Sequence, residues 1–327
     1  MKNYLCIQII YLFIAFSISN NVYALKYGLG SCLDQRWEQN IWSSIEKEDI
    51  DGFIFLGDNV YGDLPSGKLT KMKQAYETQR KKLPNWLMND KEILAIWDDH
   101  DFGLNDGGGN YPLKKSAEKM FLNFWNIPSE DPRRKREGIY FNHIKEIDGI
   151  KAEIIGLDTR YFRSELRGKS NAYKPNFDFD ATILGKSQWN WLEGVIENSS
   201  ADIVIILSSI QVLATTHPYE KWSNFPLERD RLIKLIEKAS KKQTLVVISG
   251  DRHRSGIYQN KDFIEITASS LNKAASQNIE TDPLLVGETY PIKNYGILDI
   301  RPSSNEITVS LFDQDGSRLN SKTIDIF

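Results

Sequence analysis

The 327-residue chain has few cysteines, few histidines and no large excess of charge of either sign. With 41 basic and 44 acidic residues the net charge is −3, so we expect no basic face for nucleic acid or an anionic membrane. Any site for an anionic ligand must therefore be local. The chain also lacks internal repeats, low-complexity tracts and long linkers. Its hydrophobic content of 41% is ordinary for a globular protein with a substantial core.

An apolar run at the amino terminus predicts an export signal that is not part of the fold. Lys2 precedes the run from Tyr4 to Ile18, and Val22-Tyr23-Ala24 provides a small-residue cleavage site. The alternative is an uncleaved membrane anchor, for which the run is short. We therefore expect residues 1–24 to be a signal peptide and residues 25–327 to form one domain. That domain would be periplasmic or secreted, without a membrane anchor after cleavage.

The two cysteines have different surroundings. Cys6 lies inside the apolar run rather than at its end, where a lipid-modified cysteine would be expected. After cleavage Cys32 would be the sole cysteine, which excludes an internal disulfide. Cys32 follows a predicted first strand. It is either a buried small hydrophobic residue or a thiolate ligand of a transition metal.

Strands and helices alternate along most of the chain. Five continuous apolar runs, typical of strands buried on both faces, each end in a polar cluster. These runs are Gly52–Leu56, Ile93–Trp97, Ala152–Leu157, Ile203–Leu207 and Leu245–Ile248. Amphipathic stretches at 69–88, 116–125, 187–196 and 227–239 predict helices between them, and the alternation predicts an α/β core.

Beyond residue 262 the pattern changes to strands without intervening helices. This change favours either an antiparallel finish or a second sheet within the same domain. The predicted strands are Ile264–Thr267, Tyr295–Ile300, Ile307–Leu311 and Thr323–Phe327.

Acidic residues and histidines follow the predicted strands. In open α/β sheets, ligands bind beyond the carboxyl ends of the strands. Those ends carry Asp58, Asp98, Asp99, His100, Asp101, Asp158, Arg160, Asp251 and His253. A single aspartate there is usually a turn residue or a helix cap. Several carboxylates and two of the four histidines at one edge predict a convergent site instead.

Such a set of side chains is suited to metal ions. Clustered carboxylates repel one another unless cations neutralise them. With the imidazole of His253 the set suits Zn, Fe or Mn, and its all-oxygen positions suit Ca or Mg. Two metals could clamp a phosphoryl group and activate a water for attack. Asp58 is the predicted bridge because a carboxylate has two oxygens, and His100 is the predicted acid for the leaving group.

Two further residues keep alternative interpretations. Tyr61, three residues after Asp58, is either a metal ligand or a packed aromatic residue. Arg160 is a candidate catalytic residue that could hold phosphate oxygens through two nitrogens, and the alternative is a salt bridge across its loop. No serine stands at a strand-to-helix nucleophile elbow, so we expect no covalent phospho-enzyme.

Seven segments, in order along most of the expected mature chain, carry a family resemblance. They are Gly30–Cys32, Phe55–Asp63, Trp97–Asp101, Leu157–Arg160, Leu184–Trp189, Ser208–Gln211 and Ser249–His253. Together they resemble the alkaline phosphatase D family, a branch of the metallophosphoesterases related to calcineurin-like and purple acid phosphatases. Most metallophosphoesterases begin with an Asp-x-His pair. This chain has Cys32 there instead, which is the pattern of the alkaline phosphatase D branch.

The resemblance implies a four-layer αββα sandwich, in which two mixed β-sheets are flanked by helices and metals lie between the sheet ends. The metal ligands it implies are Cys32, Asp58, Tyr61, Asp98, Asp99, Asp251 and His253. Cys32 and Tyr61 would hold Fe³⁺, joined to Ca²⁺ through Asp58, with Zn²⁺ or Mn²⁺ as alternatives. The wider family places a ligand immediately before a catalytic histidine, so Asp99 is preferred to Asp98.

The predicted function is an exported metal-dependent phosphoesterase that acts on phosphomonoesters, phosphodiesters or both and releases phosphate. Its substrate would be a small-molecule, lipid or polymer phosphoester. One alternative is a dedicated phosphodiesterase for phospholipids or cell-wall polymers. An alternative of another class is a non-catalytic module that binds metal or phosphate.

Overall fold

A computed structural model describes residues 24–275 and 278–327. The predicted signal peptide, apart from Ala24, lies outside the described residues. Within the described ranges, none of the helices has both the length and the apolar character needed to cross a membrane.

The first β-sheet has six strands and combines both ends of the described chain. Its order is β14-β13-β12-β1-β2-β3, with β1, β2 and β3 parallel and the other three antiparallel. The strands are β1 (Leu25–Gly30), β2 (Gly52–Leu56), β3 (Glu92–Ile96), β12 (Asn294–Arg301), β13 (Glu306–Asp313) and β14 (Arg318–Asp325).

The second sheet also has six strands, in the order β10-β11-β9-β8-β5-β4. Its four central strands are parallel, and β10 and β4 are antiparallel at the two edges. The strands are β4 (Phe141–Ile147), β5 (Ile150–Gly156), β8 (Ile203–Ser208), β9 (Thr244–Ser249), β10 (Gly256–Gln259) and β11 (Ile264–Thr267). A separate hairpin consists of β6 (Arg167–Lys169) and β7 (Ala172–Lys174).

Helices cover the outer faces of the two sheets. The α-helices are α1 (Trp42–Ile45), α2 (Met72–Lys82), α3 (Asn85–Asp90), α4 (Asp99–Phe102), α5 (Lys114–Phe124), α6 (Gly185–Asn198) and α7 (Pro226–Ala239). Short 3₁₀ segments lie at Glu46–Glu48, Leu69–Lys71, Pro132–Arg134, Trp222–Asn224 and Pro302–Ser304.

Alternate side chains of the central strands serve two different cores. In β8, Ile203 and Ile205 point into the core shared with the first sheet, whereas Val204 and Ile206 pack with α6 and α7. Both sets are fully buried, because a strand between two apolar layers has no solvent-facing side. The expected four-layer αββα arrangement of two mixed sheets flanked by helices is therefore confirmed.

The predicted strands agree with the structure, with bounds shifted by a few residues. The predicted helix over 69–88 is wrong as one element, because Pro84 separates α2 from α3 and cannot donate a helical hydrogen bond. The late strands resolve the two alternatives: β12, β13 and β14 finish the first sheet in antiparallel fashion, whereas β11 joins the second sheet. The strands β4, β6, β7 and β10 were not predicted.

The turns at the carboxyl ends of the strands from both sheets are joined by backbone hydrogen bonds. Cys32 N donates to Gly57 O at 3.2 Å, and Leu271 N donates to Ser31 O at 2.9 Å. Gly250 N donates to Ser209 O at 3.0 Å. These bonds hold the turns after β1, β2, β8, β9 and β11 at one edge of the sandwich.

Candidate active site

Four of the predicted metal ligands have left-handed backbone conformations. Cys32, Asp58, Asp251 and His253 have φ angles of 56°, 52°, 62° and 53°. This region disfavours side chains other than glycine, and such strain concentrates at functional sites. Gly57, at φ 100°, allows the ends of β2 and β3 to approach, because a Cβ there would lie 2.5 Å from Asp98 Cβ. The turns are thus shaped to point polar side chains into one space.

Asp58 lies at the centre of this space. Its Oδ2 accepts hydrogen bonds from Tyr61 Oη at 3.0 Å and from Cys32 Sγ at 3.6 Å. Its Oδ1 accepts from the backbone N of His100 at 3.3 Å. Three groups of potential metal ligands overlap here, each with its ligand atoms within 4.8 Å of one another. They are Cys32, Asp58 and His253; Asp58, Asp99 and His100; and Asp58, Asp98 and Asp251.

His253 and Tyr61 connect the second sheet to this cluster. Tyr61 Oη lies 3.3 Å from His253 Nε2. Burial, together with the positive charges of Lys273, His100 and Arg252, lowers the pKa of His253 to about 3. The imidazole is therefore neutral, the form that binds a metal.

The carboxylates have too few hydrogen-bond donors for their charge. Asp99 Oδ2 accepts from Asp106 N at 2.7 Å, but Asp99 Oδ1 has no partner among the described residues. Asp98 Oδ2 likewise has none. Burial and neighbouring carboxylates hold the pKa values of Asp58 and Asp251 well above the usual range. Buried acids of this kind need a compensating cation, so the donor set fits bound metal ions.

His100 is held by two neighbours at the edge of the cluster. Its Nδ1 lies 2.7 Å from Asp63 Oδ1, and its ring lies 4.2 Å from that of Tyr61 at an interplanar angle of 41°. Burial lowers the pKa of His100, but Asp99, Asp58 and Asp63 outweigh burial and raise it to about 10. A cation among the same carboxylates would offset their charge and lower this pKa again.

Arg160 lies behind the cluster rather than in it. Its fully buried guanidinium forms ion pairs of 2.5 Å with Asp98 Oδ1 and with Glu220 Oε2. Ser209 Oγ donates to the same oxygen of Asp98 at 2.5 Å. Arg160 therefore forms the salt bridge that the sequence left as the alternative. It does not line the cavity, and the structure does not bring it to where a substrate would lie.

A cavity of about 300 Å³ opens over the cluster. One end is lined by Asp58, Asp99, His100, Asp251 and His253, and the rest of its wall includes Asn105, Asp106, Tyr173, Tyr219, Glu220, Arg252 and Arg254. The structure thus brings together all the predicted ligands and His100, and it sets only Arg160 aside.

Sequence reasoning missed several residues that shape the site. Asp63 ends the segment Phe55–Asp63, and its place two residues after Tyr61 could have indicated it as a partner for His100. Glu220 gave no comparable signal, because it lies in an irregular loop and reaches Arg160 and Arg163 only through the tertiary fold. Ser269, whose Oγ lies 3.1 Å from Cys32 Sγ, was also missed.

Comparisons with known proteins identify a matching family. A family model for PhoD-like phosphatases matches residues 86–289. No curated protein sequence matches the chain.

Several solved structures share the fold at low sequence identity. PhoD has a TM-score of 0.70 and 19% identity, covering 94% of this chain and 70% of PhoD. GAP50, the anchor in the inner membrane complex of Plasmodium, has a TM-score of 0.64 and 13% identity, covering 93% of this chain and 89% of GAP50. Purple acid phosphatase PPD1 from yellow lupin (Lupinus luteus) seeds has a TM-score of 0.57 and 14% identity, covering 93% of this chain and 54% of PPD1.

Proposed function

The chain belongs to the PhoD-like phosphatase family, and from this premise we propose that it is an exported hydrolase of phosphomonoesters, phosphodiesters or both. As a family member it is a metal-dependent enzyme that acts on phosphoric ester bonds. The observation that carries the finer proposal is the position of Asp58, which belongs to all three overlapping ligand groups. A carboxylate shared in this way suits a bridge between two metal ions.

We assign the metal ligands from the donor chemistry of the cluster. Cys32 Sγ, Tyr61 Oη and His253 Nε2 would hold a transition metal, because thiolate and imidazole suit one, and the resemblance to the alkaline phosphatase D family implies Fe³⁺ there. The carboxylates of Asp58, Asp98, Asp99 and Asp251 would hold Ca²⁺, with Asp58 shared. When bound, these ions would activate a water for attack on phosphorus and neutralise charge on the phosphoryl oxygens.

His100 is the proposed proton donor to the leaving group. Asp63 accepts at Nδ1, which leaves Nε2 to carry the transferable proton. As the bond between phosphorus and the leaving oxygen breaks, that proton passes to the oxygen and an alcohol departs. Arg160 takes no part in this transfer. It positions Asp98 by occupying one oxygen of the carboxylate.

Export rests on the sequence of residues 1–24. The apolar run and the small residues at 22–24 support cleavage of a signal peptide. Amino-terminal sequencing of the protein recovered outside the cytoplasm is expected to begin near Leu25, and an intact Met1 would overturn export with cleavage.

Metal analysis of the protein purified without chelator tests the proposed centre. We expect about one equivalent of iron together with calcium by inductively coupled plasma mass spectrometry, as one thiolate site implies. Cys32→Ser should lose the iron, whereas the control Ser31→Ala, which keeps the thiol, should retain it. Zinc or manganese retained in Cys32→Ser would leave the hydrolase standing but remove Cys32 from the centre.

Rates on paired substrates test the reaction and its alternatives. Hydrolysis of 4-nitrophenyl phosphate and of bis(4-nitrophenyl) phosphate would be compared on the same metal-loaded sample. Turnover of the diester alone would favour a dedicated phosphodiesterase. Absence of turnover on both, with metals bound, would favour the non-catalytic binding module and contradict the proposal.

A further inference from the structure

The cavity has a positively charged region next to the metal cluster. Arg252 lies between the proposed ligands Asp251 and His253, and its side chain is only 6% exposed. The guanidinium lies 4.5 Å from the centre of the Tyr219 ring and 2.5 Å from Glu280 Oε1. Arg252 and Tyr219 both line the cavity.

More positive charge surrounds this arginine than Glu280 can balance. Arg254 lies 3.6 Å from the other oxygen of Glu280. The ammonium of Lys221 donates to the carbonyl of His217 at 2.5 Å and to that of Tyr219 at 3.1 Å. Arg252 and Arg254 therefore share one carboxylate, while Arg254 also donates to the carbonyl of Asn278. The neighbouring acid Asp282 is used by the backbone amides of residues 215 and 216.

Two polar groups beside these cations lack hydrogen bonds to other described residues. Arg252 Nε has no hydrogen-bond acceptor among the described residues, although its side chain is almost fully buried. Neither nitrogen of the buried His217 imidazole has a hydrogen-bond partner within residues 24–275 and 278–327. A buried guanidinium N–H without an acceptor is costly, and an anion would satisfy it.

We infer that Arg252 and Arg254 form a subsite for a second anionic group on the substrate, and that Glu280 occupies this subsite when the substrate is absent. The inference rests on the proposed function, because it places the reacting phosphoryl group at the acidic end of the cavity. The substrate class is then an organic phosphate that carries a carboxylate or a second phosphate. A cavity of about 300 Å³ can hold a small molecule of this class.

The alternative is that Arg252 and Glu280 only stabilise the loops that carry them. Both interpretations predict damage from loss of Arg252, so Glu280 separates them. If Glu280 competes with the substrate, Glu280→Gln frees the arginines and strengthens anion binding. If the pair is only structural, Glu280→Gln leaves anion preference unchanged.

Binding of non-hydrolysable phosphonates tests the subsite without turnover. Calorimetry on the metal-loaded protein would compare methylphosphonate with phosphonoacetate, which adds a carboxylate, and with methylenediphosphonate, which adds a phosphonate. We expect at least one of the two doubly anionic ligands to bind about tenfold more tightly, or more, than methylphosphonate, as a charge-assisted hydrogen bond implies. The one that gains identifies the second group.

Variants assign this preference to the arginine. Arg252→Gln should remove the preference, and Glu280→Gln should increase it. The control Arg301→Gln, an arginine likewise paired with a carboxylate but on the first sheet, should leave it unchanged. Metal content of each variant would be measured, because a doubly anionic ligand also chelates metals. A preference that survives Arg252→Gln with metals intact would overturn the inference.

Hydrolysis of a matched pair separates this inference from the proposed function. The ratio of kcat/KM for 3-phosphoglycerate to that for glycerol 3-phosphate should fall about tenfold in Arg252→Gln, mainly through KM. An unchanged ratio with normal turnover would overturn the subsite and leave the phosphatase intact. Absence of all phosphoester hydrolysis, with the phosphonate preference still dependent on Arg252, would support the subsite and contradict the proposed function.

Discussion

Asp58 and Asp158 occupy equivalent places in the two sheets, yet their surroundings are opposite. Each lies just beyond the end of a buried parallel strand, β2 for Asp58 and β5 for Asp158, and each is fully buried. Asp158 accepts four hydrogen bonds of 2.9 Å, from Trp97 Nε1 and from the backbone N of residues 139, 160 and 161. Asp58 instead accepts longer bonds from a phenol, a thiol and one backbone N–H, and lies among other acids.

This difference separates a structural carboxylate from a metal ligand. N–H donors stabilise a buried negative charge without any ion, so hydrogen bonds from the protein are enough to stabilise the Asp158 carboxylate. Around Asp58 a single backbone N–H, a phenol and a thiol face several buried carboxylates, so this group of acids needs a cation to balance its charge. Burial raises the pKa of both Asp58 and Asp158, so burial alone does not distinguish a metal ligand from a structural carboxylate.

The largest expected effect comes from removing the charge of Asp58. Asp58→Asn keeps the shape of the side chain but weakens a bridge between metals, so kcat on 4-nitrophenyl phosphate should fall about 10³-fold, consistent with several kcal/mol of metal stabilisation. With metals removed by a chelator, Asp58→Asn should be no less stable in urea denaturation than the unsubstituted protein, because the substitution removes one of several repelling charges. A clear loss of stability in chelator would show that the protein itself stabilises the Asp58 carboxylate, as it does that of Asp158.

The reciprocal change at Asp158 should affect folding rather than chemistry. Asp158→Asn places an amide NH₂ against N–H donors, so we expect the free energy of unfolding to fall by about 3 kcal/mol. Urea denaturation monitored by circular dichroism measures this loss. For the folded protein, kcat should fall far less than in Asp58→Asn. A loss of activity as large as that of Asp58→Asn, at normal metal content, would contradict a purely structural role.

Much of the fold could be predicted from the sequence because the central strands have a clear local sequence pattern. Runs such as Ile203–Leu207 are apolar at every position, as strands buried on both faces must be, and the structure has β8 there. Edge strands have a weaker sequence pattern. In β4, buried and exposed side chains alternate and charged residues interrupt the pattern, so Phe141–Ile147 was not predicted.

Strand pairing could not be read from the sequence. The parallel strands divide between two sheets, β1 to β3 in one and the later strands in the other, although all have similar composition. The order of the buried strands in a sheet depends on contacts between residues distant in sequence. An apolar run therefore does not predict which strand it pairs with. The sequence therefore left open whether the last strands finish the first sheet.

The same limit applies within the site. Strand-end position was enough to gather the candidate ligands, because the carboxyl ends of parallel strands meet at one edge. It did not distinguish Arg160, which pairs with Asp98 and Glu220, from a residue that reaches the cavity. Hydrogen-bond partners decide the role of each polar side chain, and those partners come from distant segments. The roles of the ligands themselves stay predictions until metals are measured.

The smallest of the expected effects is the most specific, and it concerns Asp63, whose Oδ1 lies 2.7 Å from His100 Nδ1. Asp63→Asn keeps an oxygen that accepts from Nδ1 but removes the charge that stabilises a protonated imidazole. We expect kcat on glycerol 3-phosphate, whose leaving alkoxide needs a proton, to fall about tenfold, the lower limit for loss of an outer partner. For 4-nitrophenyl phosphate, whose leaving group departs without a proton, kcat should change little. Equal losses on the two substrates would indicate a general disturbance of the site, and His100 would then lose its assignment as the acid.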